Sequence, residues 1–252
     1  MKDIQSHKRV NDILLGPLER PALKWLAEHM PPWMTPDLLT LIGISGSLAT
    51  FSGYWLASLN RNFLWLASLG FVINWFGDSL DGTLARYRHI ERPQYGFFLD
   101  HTVDSVSMVL VFTGLGLSGY VSFGVASMAL VGYLLMSIMV YLSTAVHGRY
   151  QISYARFGPT ELRLIAIIIT TLLYFGGNPS VHFPAGAISL GDLLCGAIAL
   201  LLFIFFIGSS IRQARELDKI DTARLRSAAA KKPTGRKSKA KVGQNSAGKI
   251  EF

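Results

Sequence analysis

Residues 77–105 read GDSLDGTLARYRHIERPQYGFFLDHTVDS, and this stretch decides how the rest of the chain is understood. It holds four aspartates, Asp78, Asp81, Asp100 and Asp104, each in or beside a long apolar run. On a helix, Asp78 and Asp81 lie three residues apart and Asp100 and Asp104 four apart, so each pair shares one face. Gly82 and Ala85 continue the face of Asp78, leaving it bare beside its acids, and Gly96 leaves a similar gap four residues before Asp100. Placing one ionised carboxylate in a membrane helix costs about 2.5–3.5 kcal/mol, and neighbouring like charges add to that cost. Divalent cations or several basic partners would relieve such a cluster. Within the stretch the basic candidates are Arg86, Arg88 and Arg92.

Outward from this core, the apolar residues come in runs of roughly 20, the length that crosses a bilayer as a helix. The pattern predicts an all-α integral membrane protein: six transmembrane helices preceded by an N-terminal interfacial amphipathic helix. The first span opens at Thr35-Pro36-Asp37, where Thr35 can cap, Pro36 suits the first helical position and Asp37 suits the positive helix end. It runs to about residue 58. The second covers about residues 63–87, the third 95–117, the fourth 123–145, the fifth 161–175 and the sixth 193–211. The acid pairs then fall at the end of the second span and the start of the third, at one membrane depth. Three parts follow: residues 1–34 as the interfacial segment, 35–211 as the six-helix membrane domain and 212–252 as a basic, disordered cytoplasmic tail.

Residues 1–34 mix Arg20 and Lys24 with Leu18, Leu23 and Trp25, which suits a helix lying in the headgroup region. Pro17, Pro21, Pro31 and Pro32 are expected to divide it into short pieces. Nothing in Met1 to Arg20 has the apolar core of a cleavable signal peptide. The single cysteine, Cys195, rules out a disulfide within the chain.

The net charge of +8 sits in the tail. Residues 1–210 hold 12 Lys/Arg and 12 Asp/Glu, whereas residues 211–252 hold 12 and 4. With both termini cytoplasmic, segments 1–34, 86–95, 146–163 and 212–252 carry every Lys and Arg except Arg61, as the positive-inside rule requires. The acid cluster then opens to the cytoplasmic face. The tail has no material for a core and suits attraction to anionic lipid headgroups rather than nucleic acid. A homodimer is compatible with this layout.

Taken on their own, the site residues are four oxygen-bearing acids at a wet interface without a Cys or His cluster. Hard oxygen ligands select Mg²⁺ or Mn²⁺ over zinc. Two such ions between four carboxylates form a clamp for a diphosphate, and a carboxylate with spare capacity could accept a hydroxyl proton. Intramembrane acids also line ion paths, so a cation transporter is the competing class. The position of the acids at one interface, with no matching half of broken helices, speaks against it.

The pattern Asp78-x-x-Asp81-Gly82-x-x-Ala85-Arg86, nine residues, Gly96-x-x-x-Asp100-x-x-x-Asp104 resembles the signature of the CDP-alcohol phosphotransferase family, with all eight fixed positions filled. The resemblance implies that Asp78, Asp81, Asp100 and Asp104 hold two metals and that Asp104 is also the catalytic base. It implies that Gly82 and Ala85 leave room for the nucleotide and that Arg86 orients acids or diphosphate. Pro36-Asp37-Leu38-Leu39-Thr40 is similar to the family's Pro-Asn-x-x-Thr opening, with Asp in place of Asn, which puts Thr40 beside the nucleotide. The implied substrates are a CDP-alcohol and an acceptor alcohol, one of them a membrane lipid, with release of CMP. The leading expectation is transfer of a phosphatidyl group from CDP-diacylglycerol to a small polar alcohol. The alternative is transfer of phosphocholine or phosphoethanolamine to diacylglycerol, towards which His101 and Ser105 lean. His147, Arg149, Arg156, Glu161 and Arg163 lie on the same face as the site, and Arg149, Arg156 and Glu161 are the candidates for acceptor or headgroup contacts, although Arg149 and Arg156 also suit ordinary interface anchors.

Overall fold

The structure is a computed structural model, and it describes residues 15–147, 159–183 and 186–231. Among the described residues the chain forms α1 (Gly16–Glu28), α2 (Pro36–Ala57), α3 (Phe63–Tyr87), α4 (Pro93–Leu117), α5 (Phe123–His147), α6 (Pro159–Gly176), β1 (Ser180–Phe183), β2 (Gly186–Ser189) and α7 (Leu190–Lys231). Helices α2 to α7 are each long and apolar enough to cross a membrane, so this is a multi-pass membrane protein.

The start of α2 follows from its sequence. The Thr35 hydroxyl accepts from the Leu38 amide at 3.2 Å, and Pro36 opens the helix. Helix α4 begins two residues before Tyr95, because Pro93 takes one of its first positions, where a missing N–H costs nothing.

In α1, Pro17 and Pro21 do not divide the segment as expected; both lie within one helix. Pro17 sits in the first turn, and Pro21 forfeits a single ladder bond close to the start. Residues 1–14 of the expected interfacial segment lie outside the described residues. On one face of α1, Leu23 and Ala27 pack with Met34, Leu39, Leu80 and Leu84, while Leu18 and Trp25 stay exposed.

The α2–α3 pair is the densest seam. A Cβ at Gly46 would collide with the Asn74 backbone nitrogen, and one at Gly77 with that of Gly43, so these backbones approach closer than any side chain allows. Polar groups in the seam are satisfied locally. Asn74 Nδ2 donates to the Gly43 carbonyl and to Ser47 Oγ, both at 3.0 Å, and Thr50 Oγ1 to the Gly46 carbonyl at 3.1 Å. Below the seam, Arg88 donates to the carbonyls of Met30, Pro31, Pro32 and Met34, tying the end of α3 to the α1–α2 loop. Arg92, just before α4, pairs with Asp37 at the start of α2. The last residues of α3 are thus held on several sides.

Two regions differ from expectation. The loop expected between the fifth and sixth spans contains an antiparallel hairpin, β1 against β2, in which Ser180 pairs with Ser189. The last helix also runs well past residue 211. The tail expected to be disordered from residue 212 is helical as far as Lys231, while residues 232–252 lie outside the described residues. The physical reason is composition. Arg212–Lys231 is rich in Ala, Arg, Leu, Glu and Lys, which favour helix even where apolar patterning stops. Met1–Ser210 and Ile211–Phe252 form separate compact units, and α7 contributes to both.

Candidate active site

The last third of α3 supplies Asp78 and Asp81, and the first half of α4 supplies Asp100 and Asp104. Asp78, Asp100 and Asp104 each offer a carboxylate oxygen, and these oxygens lie within 4.8 Å of one another. All three residues are half-buried. Three like charges this close, partly withdrawn from water, repel one another, and a cation among them would relieve the repulsion. A hard divalent ion is the partner this all-oxygen set fits.

Asp81 is not in that group of three. Its Oδ2 accepts from Thr40 Oγ1 at 2.7 Å, and its Oδ1 from the Gly82 amide. Thr40 is itself buried and also donates to the Pro36 carbonyl at 3.2 Å, so α2 fixes one side of the Asp81 carboxylate. Thr40, expected beside the nucleotide, therefore reaches the site through Asp81.

Gly82 keeps a gap. A Cβ there would lie 3.2 Å from Arg86 Nη1, the movable end of a side chain, so the space belongs to the glycine and the arginine jointly. Arg86 Nη2 donates to Thr83 Oγ1 at 3.1 Å, which lays the guanidinium along the helix beside that gap. Ala85 is half-buried one turn on. The gap foreseen at Gly96 is open: nothing lies within 4 Å of a Cβ built there. His101 stacks on Phe97 with centroids 4.2 Å apart, and its Nδ1 lies 2.8 Å from the Phe97 carbonyl and 3.4 Å from Asp100 Oδ2. Its hydrogen bond goes to the Phe97 carbonyl, and Asp100 lies beside it.

Helix α6 brings Arg163, read from the sequence only as lying on the same face as the site, directly onto an acid. Arg163 Nη2 donates to Asp78 Oδ2 at 2.6 Å, and Arg163 is only 6% exposed. Its Nε and Nη1 are buried without a hydrogen-bond partner among the described residues. Such donors are costly to leave unpaired, and here they sit beside the carboxylate trio. The signal in the sequence was a lone arginine near the start of an apolar run, 85 residues from Asp78.

The acceptor candidates fare unevenly. Arg149 and Arg156 lie outside the described residues. Glu161 is buried, and its Oε1 accepts from the Leu15 amide at 2.8 Å, next to the start of α1.

Comparison with known proteins places this geometry. The sequence profile of the CDP-alcohol phosphatidyltransferase family matches residues 33–204. An uncharacterised protein of Aquifex aeolicus is 31% identical over 173 residues, covering 67% of this chain and 78% of its own length. The archaetidylinositol phosphate synthase of Pyrococcus horikoshii is 30% identical over 175 residues, 69% of this chain and 80% of that protein. Cholinephosphotransferase 1 of Gallus gallus is 29% identical over 182 residues, 69% of this chain; the match spans only 53% of the larger relative. The crystal structure of Mycobacterium tuberculosis phosphatidylinositol phosphate synthase with CDP-DAG bound shares the fold, with a TM-score of 0.52 at 21% identity over 75% of this chain and 89% of that one. From the eight-position signature, the converging carboxylates and the matched span of residues 33–204, the chain belongs to the CDP-alcohol phosphatidyltransferase family.

Proposed function

We propose that this protein transfers a phosphatidyl group from CDP-diacylglycerol to the hydroxyl of a small polar alcohol, releasing CMP. The observation that carries the reading is the convergence of Asp78, Asp100 and Asp104 within 4.8 Å, at the level of the gap kept by Gly82. Asp78, Asp81, Asp100 and Asp104 are the residues that would hold Mg²⁺ or Mn²⁺. Two ions held there would neutralise and polarise a diphosphate.

The chain's own residues do the rest. Gly82 and Ala85 leave the wall of α3 low enough for the nucleotide to lie against it, and Thr40 steadies Asp81 beside it. Arg86 lies along that gap, and the unpaired Nε and Nη1 of Arg163 face a site that gathers phosphate oxygens. The acceptor oxygen attacks the β-phosphorus and the bond from that phosphorus to the CMP oxygen breaks. Asp104 takes the hydroxyl proton. The charge distribution supports a site open to the cytoplasm, with both termini on that side and the basic tail near anionic headgroups. Arg149, Arg156 and Glu161 stay as acceptor-side candidates, with Glu161 acting through the start of α1.

A second reading, transfer of phosphocholine or phosphoethanolamine to diacylglycerol, is favoured by His101 and Ser105 beside the acids and by the 29% identity to a cholinephosphotransferase. Purified protein is incubated with Mn²⁺ and either labelled CDP-diacylglycerol with a panel of small polar alcohols or labelled CDP-choline with diacylglycerol. CMP release from the first supports the proposal, release from the second alone replaces it with the alternative, and release from neither overturns both.

A further inference from the structure

Helix α1 reaches the site through one side chain. Glu19 Oε1 accepts from Trp75 Nε1 at 2.8 Å and Ser79 Oγ at 3.3 Å on α3, and from Thr160 Oγ1 at 2.7 Å on α6. Ser79 directly follows Asp78. Thr160 precedes Arg163 by three residues, on the same helix face. One oxygen therefore ties a neighbour of Asp78 to a neighbour of Arg163, the two partners of the 2.6 Å ion pair.

We propose that Glu19 is a positioning residue of the site: α1 is a strap whose carboxylate registers the start of α6 against the acid-bearing end of α3 and so keeps Arg163 on Asp78. Three donors converging on one oxygen suit a carboxylate, which only accepts. The strap is fastened from both sides, since Glu161 of α6 accepts the Leu15 amide just before α1. Apolar packing of Leu23 and Ala27 with Leu80 and Leu84 holds α1 on α3, and Ala166, Ile167 and Tyr174 of α6 pack against the core of α2 and α3 further along, so the polar hub acts on the first turn of α6, where Arg163 stands. Arg163 needs it. With Nε and Nη1 unpartnered, its polar anchorage is the bond to Asp78, and the helix beneath decides where the guanidinium lies.

This inference rests on the reading of the acids as a metal site, and its test separates the two. Full-length protein in nanodiscs is titrated with Mn²⁺ by electron paramagnetic resonance, and CMP release is measured alongside, for wild type, Glu19→Ala, Glu19→Gln and Thr160→Val. Glu28→Gln, an exposed change on the same helix, is the control. If the strap holds Arg163 on Asp78, Glu19→Ala releases a positive charge from the acid trio. Mn²⁺ then binds at least threefold tighter while kcat falls about tenfold, a split that general damage to the site does not produce. Glu19→Gln shows a smaller split and Glu28→Gln none. In an Arg163→Gln background, Mn²⁺ binding is already tighter and Glu19→Ala shifts it less than twofold. Should Glu19→Ala fail to fold, Thr160→Val decides by the same split. Unchanged metal affinity and turnover, or both weakened together, overturns the strap while leaving the metal site standing. Wild-type protein that neither binds Mn²⁺ nor releases CMP overturns the functional reading and this inference with it.

Discussion

Of the two walls that face each other across the acids, α3 is packed on protein and α4 is largely bare: 44% of the most apolar stretch of α3 is buried within the molecule, against 17% for α4. The α3 wall rests on α2 through backbone contacts at Gly43, Gly46, Gly70 and Gly77, so Asp78 and Asp81 stand on an element with little freedom to shift. The α4 wall has a tight point at Gly114, where a Cβ would lie 2.8 Å from the Phe51 Cα, ten residues beyond Asp104. Around Gly96 to Asp100 its surroundings are open. The difference teaches that one acid pair is placed by close helix packing, while the other rides on a helix whose first turns are sparsely covered among the described residues. A lipid substrate needs such an open side, and a nucleotide needs such a fixed one.

The largest effect that could break this contrast is overpacking the seam. Gly46→Val or Gly77→Val forces backbone against backbone and is expected to cost about 1–3 kcal/mol or more, with a clear drop in the thermal midpoint in detergent. Gly208→Ala on α7, where nothing lies within 4 Å of the added carbon, is expected to stay within about 0.5 kcal/mol of wild type. Equal midpoints for the two classes would mean that the seam does not hold α3.

A change at the site itself sharpens the contrast further. Gly82→Leu fills the gap beside Arg86 without touching the seam, so the protein is expected to fold and insert normally while CMP binding is lost. Unchanged CMP affinity in an isothermal titration would place the nucleotide elsewhere.

The smallest effect concerns the basic end of the chain. Truncation after Arg215 removes most of the net positive charge and the last turns of α7, yet every acid of the site precedes residue 105. Each basic residue near an anionic surface contributes at most about 1 kcal/mol, screened within a Debye length. Metal-dependent CMP release in detergent is therefore expected within about twofold of wild type, with a salt-sensitive loss confined to anionic bilayers. Loss of activity in detergent from a folded truncation would show that the tail helps to build the site.

The helices were legible wherever hydropathy and a terminal signal coincide. Phe63 to Tyr87 is bounded by polar residues on both sides, and its limits follow from the letters alone. The end of α7 was not legible in the same way, because the apolar run stops at Ile211 while helix propensity continues to Lys231. The acids were legible because their spacing is local and helical. Arg163 and Glu19 were not: each meets its partners across 56 residues or more, and a single Arg or Glu near an interface has an innocent reading in every membrane protein. The held-apart state of Asp81 was equally hidden, since Thr40 meets it only once α2 lies against α3.

The central claim is that Asp78, Asp100 and Asp104 form one metal-dependent transfer site in which Asp104 takes the acceptor's proton. The most direct measurement is Mn²⁺-dependent CMP release by Asp104→Asn beside wild type, with binding of CDP-diacylglycerol measured on the same samples. Asparagine keeps the shape and loses the proton acceptor, so turnover is expected to fall by about 10²–10⁴ while part of the nucleotide binding survives. Turnover near wild type in the folded variant would remove Asp104 from the base role and contradict the account.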